Sequence, residues 1–133
     1  IMKWALAVCG LILTSASAAS ASGNIFCRNA DESVVLNLMT SRADTLTVVR
    51  TVLTMGEEIW SDDPVVQPVK PIRSGQAYEN DGMLMVDFVA EAEGAVIARL
   101  KAFSTVGEDD FVSGGIFTVK GKGSWVVDCS DRG

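Results

Sequence analysis

Apolar and polar positions along this chain change places in short steps, and most runs are too short and too β-branched for helices. Ser33 to Thr40 (SVVLNLMT) is rich in branched residues and reads as a strand. Thr45 to Met55 (TLTVVRTVLTM) places Leu46, Val49, Val52 and Leu53 where one helix face would want them. Seven of its eleven residues are Val or Thr, however, which lose χ1 freedom in helices and fit pleated sheets, so the segment is assigned as a strand with room for a bulge. Glu57 to Trp60 continues after Gly56. The stretch SDDPVVQPVKPIRSG then gathers all three prolines and reads as a loop or edge segment, because proline cannot donate to a ladder. Met83 to Val89 (MLMVDFV) alternates and follows Asn80-Asp81-Gly82, a strong turn signal. Ala95 to Phe103 (AVIARLKAF) would suit a helix on composition, but its length and neighbours favour a strand. Gly115 to Lys120, the turn Gly121-Lys122-Gly123 and Ser124 to Cys129 read as a closing hairpin. The expected class is all-β: a small antiparallel barrel or sandwich of about seven to eight strands.

The first twenty-odd residues carry a different pattern. Lys3 precedes an apolar run from Trp4 to Leu13, and Ala16-Ser17-Ala18 and Ala19-Ser20-Ala21 follow as small-x-small sites. This is the layout of a secretory signal, with cleavage expected after Ala21 or, as second choice, after Ala18. The apolar run falls short of the roughly 20 residues that span a bilayer. Cys9 lies inside this segment; Val8 stands where a lipidation site wants a small residue, so Cys9 reads as a small hydrophobe. The expected organisation is a signal peptide over residues 1–21 and a single β-rich domain over 22–133, periplasmic or secreted, with no membrane span in the mature part.

Removing that segment takes away one charge, Lys3, and moves the net charge from −6 to −7. An acidic surface argues against nucleic acid or anionic lipid as the main partner and favours encounter with a basic protein. The chain has no histidine, which excludes Ser-His-Asp and Cys-His catalysis and histidine-based zinc sites within one chain. Outside the signal segment only Cys27 and Cys129 remain, so they are the one available intramolecular pair, and in an oxidising compartment they form a structural disulfide tying the termini. Two redox thiols would lack the C-x-x-C spacing such sites use.

Acidic pairs are the remaining candidates for chemistry: Glu57-Glu58, Asp62-Asp63, Asp109-Asp110, and Glu91 with Glu93. Adjacent residues on a strand point to opposite faces, so none forms a catalytic dyad by itself. Asp62-Asp63 and Glu108-Asp109-Asp110 lack the EF-hand calcium pattern. Gly94, Gly114, Gly115, Gly121 and Gly123 form no phosphate-binding pattern and read as turns, and Trp60 and Trp125 read as packing. Nothing in the residues signals a metal, a cofactor or an enzyme.

Three stretches together resemble the small periplasmic or membrane-anchored inhibitors of c-type lysozyme: Ile25-Phe26-Cys27; Ser74-Gly75-Gln76-Ala77-Tyr78 with Asp81-Gly82 after it; and Val127-Asp128-Cys129. The resemblance implies an eight-stranded antiparallel barrel closed by a disulfide, and a loop presenting Ser74, with Gly75 and Tyr78, to a lysozyme-like basic hydrolase. The family's aromatic-x-Lys-Gly segment should fall near Asp87 to Gly94. This chain reads DFVAEAEG there, so the lysine is absent and acidic residues stand where they would repel the enzyme's carboxylates.

Two functions follow as expectations. The first is an exported, non-enzymatic binding module that recognises a protein. The second is a carrier of a small apolar ligand, suggested by the 48% hydrophobic composition and by Met83, Met85 and Phe88. A structural envelope role is a further alternative.

Overall fold

The computed structural model describes residues 21–63, 69–90, 94–106 and 111–132. The expected signal segment before Ala21, the pair Glu91 and Glu93, the acidic run Glu108 to Asp110 and residues 64–68 of the proline stretch lie outside the described residues. The described chain forms ten strands and no helix: β1 (Ala21–Arg28), β2 (Val34–Arg42), β3 (Leu46–Met55), β4 (Glu58–Ser61), β5 (Lys70–Pro71), β6 (Arg73–Asn80), β7 (Met83–Val89), β8 (Val96–Val106), β9 (Phe111–Val119) and β10 (Gly123–Arg132).

The all-β expectation holds, and the architecture is a nearly closed barrel, not a sandwich. The expected count of seven to eight strands is corrected to ten. β1, β5 and β6 are the additions. β1 and β6 carry polar, small and glycine residues (ASGNIFCR, RSGQAYEN) that give little alternation, and β5 is only two residues long. Ala95 to Phe103 is part of a strand, β8, which extends to Val106.

Strands follow the order β5-β4-β3-β2-β1-β10-β9-β8-β7-β6. The chain therefore meanders outward on both sides of a central β1–β10 ladder, and every pairing is antiparallel except the short parallel β4–β5 contact. Cys27 faces Cys129 in that ladder with Cα atoms 4.1 Å apart, and the two are disulfide-bonded across 102 residues. The expected pairing is formed, and it joins the first strand to the last.

The barrel closes where β6 comes alongside β3. β3 has a bulge: Met39 pairs with Arg50 while Thr40 pairs with Val48, so Val49 is the extra residue. Beyond it β3 changes neighbour. Its second half, Val52 to Met55, pairs with β4. Its first half faces β6 without a backbone ladder between them. Side-chain contacts bridge this seam instead: Ser74 Oγ donates to the Val48 carbonyl at 3.4 Å, and Arg42 at the end of β2 reaches Glu79. Where the partners change, Asp62 Oδ1 accepts from the Thr51 amide (3.0 Å) and Ser61 Oγ donates to its carbonyl (2.9 Å).

Inward positions on the strands make one core, with Leu36, Leu38, Leu53, Val86, Leu100 and Val127 fully buried. One end of the barrel is plugged by aromatic rings. Phe88 meets Phe117 edge-on at 6.0 Å between centroids, and Phe117 stacks on Trp125 at 6.5 Å. Glu58 straps this end, taking Lys70 at 3.1 Å from the adjoining strand and Lys122 at 3.7 Å from the β9–β10 turn. The hydrogen bond from Lys70 holds the Glu58 carboxyl below its ordinary range.

Candidate functional site

The inward side chains shrink toward the opposite end. Along β9 they run Val119, Phe117, Gly115, Ser113; along β8, Leu100, Ala102, Ser104; along β10, Trp125, Val127, Cys129. Large residues fill the plugged end and small ones cannot fill the other, so the barrel opens there into a cavity of about 740 Å³. Its size lies within the range typical of small-ligand sites. Ile25, Leu84, Ala102 and Cys129 give the cavity apolar surface, and Met83 and Phe103, whose positions alternate with these and face outward, border its rim beside the β6–β7 turn.

That turn is Asp81-Gly82, whose φ angles are +48° and +78°. Two successive positive φ values are the geometry of the tight hairpin turn predicted from Asn80-Asp81-Gly82. The Ser104 amide donates to the Gly82 carbonyl at 2.7 Å, which fixes the turn to β8 beside the cavity. A Cβ on Gly82 would stand 2.6 Å from the Ser104 carbonyl oxygen, so the position requires glycine for space as well as for φ.

On the other side of the opening lies the Arg42–Glu79 pair. Arg42 Nε donates to Glu79 Oε1 at 3.1 Å and Nη2 to Oε2 at 2.8 Å, a forked ion pair spanning the seam. Asn80, Ser113 and Ser130 add further polar groups. One inward position below Arg42 on β2, the Thr40 hydroxyl is buried without a hydrogen-bond partner among the described residues, as is that of Thr51 on β3.

The residues singled out from the sequence sit near this opening but are not grouped in it. Ser74 and Gly75 lie within strand β6, at a register shift between Ser74 and Ala77. Ser74 stands opposite the buried Phe88, so it faces the barrel side of the sheet, where its hydroxyl donates to Val48. Tyr78 stands opposite Met85 on the outer face, is 46% exposed, and accepts a hydrogen bond from Asn80 Nδ2 at 3.0 Å. Ser74 and Tyr78 are therefore on opposite faces of one strand. Tyr78 begins a cross-strand row on the outer surface, Tyr78–Met85–Lys101–Ile116–Val126, in which Ile116 and Val126 are also exposed.

Of the described acidic candidates, Glu57 is exposed on the β3–β4 turn, and Glu58, Asp62 and Asp63 act as struts. Asp62 accepts from Thr51, Asp63 pairs with Arg50 at 2.9 Å, and Glu58 takes the two lysines. Asp87, almost fully buried, holds Arg99 at 2.6 Å, and that hydrogen bond raises the Arg99 pKa. Among the described residues no three metal-ligating side chains converge, and no helix is long and apolar enough to cross a membrane.

Sequence reasoning missed Arg42, Glu79 and Ser113 as a group. They come together from three strands, and the sequence signal for the opening they border is the fall in size along the inward series. No protein-family model matches the chain, and no curated protein or solved structure matches it either.

Proposed function

We propose that this protein is an exported binding module, not an enzyme, and that it holds a small ligand in the open end of its barrel. The observation that carries this reading is the half-open cavity of about 740 Å³, set at one end of a barrel whose described core is packed with its own side chains. The eight strands from β3 round to β6, with β4 and β5 outside the closure, make a wall whose interior is wide enough for side chains or one small ligand, and here the two share it: rings at one end, open volume at the other. The disulfide suits an oxidising compartment. The lining mixes apolar and polar groups, which argues for an amphipathic ligand over the purely apolar one that composition suggests.

A thermal-shift screen of the mature protein against a small-molecule library tests this. A ligand that binds only the folded state raises the melting temperature by mass action. Ser113→Trp, which puts a large ring at the opening, should abolish the shift while the variant still folds. A ligand whose stabilisation survives that substitution would place the site elsewhere.

A second reading, an inhibitor of a basic, lysozyme-like hydrolase, is favoured by the exposed Tyr78 at the head of the outer row, on a chain of net charge −6. Calorimetry and activity assays against a panel of c-type lysozymes check it: inhibition lost in Tyr78→Ala supports it, and no binding at micromolar protein ends it.

A further inference from the structure

The outer face of the barrel carries an exposed apolar patch that holds one cation and one carboxylate. We propose that two copies of this chain pair face to face through the outer surface of β8, β9 and β10, as a weak two-fold symmetric dimer.

The strand register builds the patch. Lys101, Ile116 and Val126 stand side by side in one outward row, and Phe103, Gly114 and Asp128 in the next. Phe103, Ile116 and Val126 are 59%, 52% and 76% exposed. Gly114 leaves a hollow between its neighbours: a Cβ there would meet one atom, the Val127 carbonyl oxygen at 3.6 Å, so the Phe103 ring beside it does not cover the spot. Lys101 and Asp128 are both exposed and have no ion-pair partner among the described residues. Arg28 faces Asp128 across the β1–β10 ladder but reaches Glu32 instead, at 2.7 Å. With strands about 4.8 Å apart and same-face positions about 6.8 Å apart, Lys101 and Asp128 lie about 12 Å from each other, too far to pair within one copy.

A second copy supplies what the first lacks. A two-fold axis in the plane of contact, passing over β9 midway between the two charges, sets each Lys101 against the partner's Asp128. The same operation lays Ile116 on the partner's Val126 and brings the Phe103 ring to the hollow over the partner's Gly114. Every contact is made twice, as an isologous interface requires. A membrane answers the patch less well, because an anionic surface repels a chain of net charge −6 and gives Asp128 no partner. The exposed apolar side chains offer on the order of 500 Å², the scale of the largest patch a monomer commonly shows. A standard interface covers about 800 Å² per partner, and convex barrel faces touch over less, so the dimer forms in about the micromolar range.

The test is sedimentation equilibrium of the mature protein from about 1 μM to 1 mM in about 0.15 M salt, which screens the repulsion between two acidic chains. A monomer–dimer equilibrium is expected. Lys101→Asp, Asp128→Lys and Phe103→Ala should each weaken it by about tenfold or more. Combining Lys101→Asp with Asp128→Lys should restore it, because each reversed charge then meets its opposite across the axis. Val49→Thr, exposed on β3 four strands from β9 in either direction, leaves it unchanged. A chain that stays monomeric at the highest concentration overturns the proposal; sedimentation with phosphatidylcholine–phosphatidylglycerol vesicles, lost in Phe103→Ala, would then assign the patch to a lipid surface. Dimers that ignore all three substitutions place the interface elsewhere and overturn it too. Charge reversals that weaken the dimer singly and are not rescued in combination refute the two-fold pairing of Lys101 with Asp128.

Discussion

Thr51 shows how a single residue departs from what its type suggests. Its side chain is fully buried, facing Leu38 across the β2–β3 ladder, and its hydroxyl has no hydrogen-bond partner among the described residues. In the sequence it is one of several threonines in a β-branched run, read only as a strand former. Its burial depends on the bulge at Val49, which shifts the inward positions of β3 by one. Thr51→Val keeps the shape and removes a buried, unpaired hydroxyl, so it should raise stability by about 1 kcal/mol in urea denaturation. A loss of stability would mean the hydroxyl has a partner.

At the scale of elements, the strongly alternating strands were legible: β2, β3, β7 and the β9–β10 hairpin fall close to the expected segments, and the Asp81-Gly82 turn has the conformation its residues demand. β1 and β6 were not legible, because a strand of small and polar residues is stabilised by its neighbours, not by its own pattern. Adjacent glycines in β9 make the point sharply. Gly114 and Gly115 read alike as turn residues, yet both lie mid-strand. A Cβ on Gly114 would meet only an ordinary contact at 3.6 Å, whereas on Gly115 it would press on the Lys101 carbonyl and stand 2.7 Å from the Ala102 Cα. Gly115→Ala must therefore spread β8 from β9, at a cost of about 1–3 kcal/mol, while Gly114→Ala should be nearly neutral. Equal melting temperatures for the two variants would contradict this close approach.

The whole molecule is organised by its first and last strands. From the sequence, the cysteines placed a tie between the chain ends; the structure puts that tie in the middle of the sheet, where the two halves of the meander meet. Closing a loop of this length is worth about 4–5 kcal/mol in the chain-entropy model. Reduction should lower the melting temperature by on the order of 15–25 °C, and melting that ignores reductant would contradict the role assigned to the bond. The open end was the part least visible in the sequence. Its lining comes from several strands far apart in the chain, and its volume comes from residues too small to fill it, such as Ala102 and Ser113.

The most direct test is an amide chemical-shift map of the mature protein with the small molecule that raises its melting temperature most. The account predicts shifts concentrated at residues 80–84, 103–104, 113 and 130, around the opening. Shifts centred instead on Lys120, Lys122 and Gly56 at the plugged end, or on the outer row from Tyr78 to Val126, would contradict it.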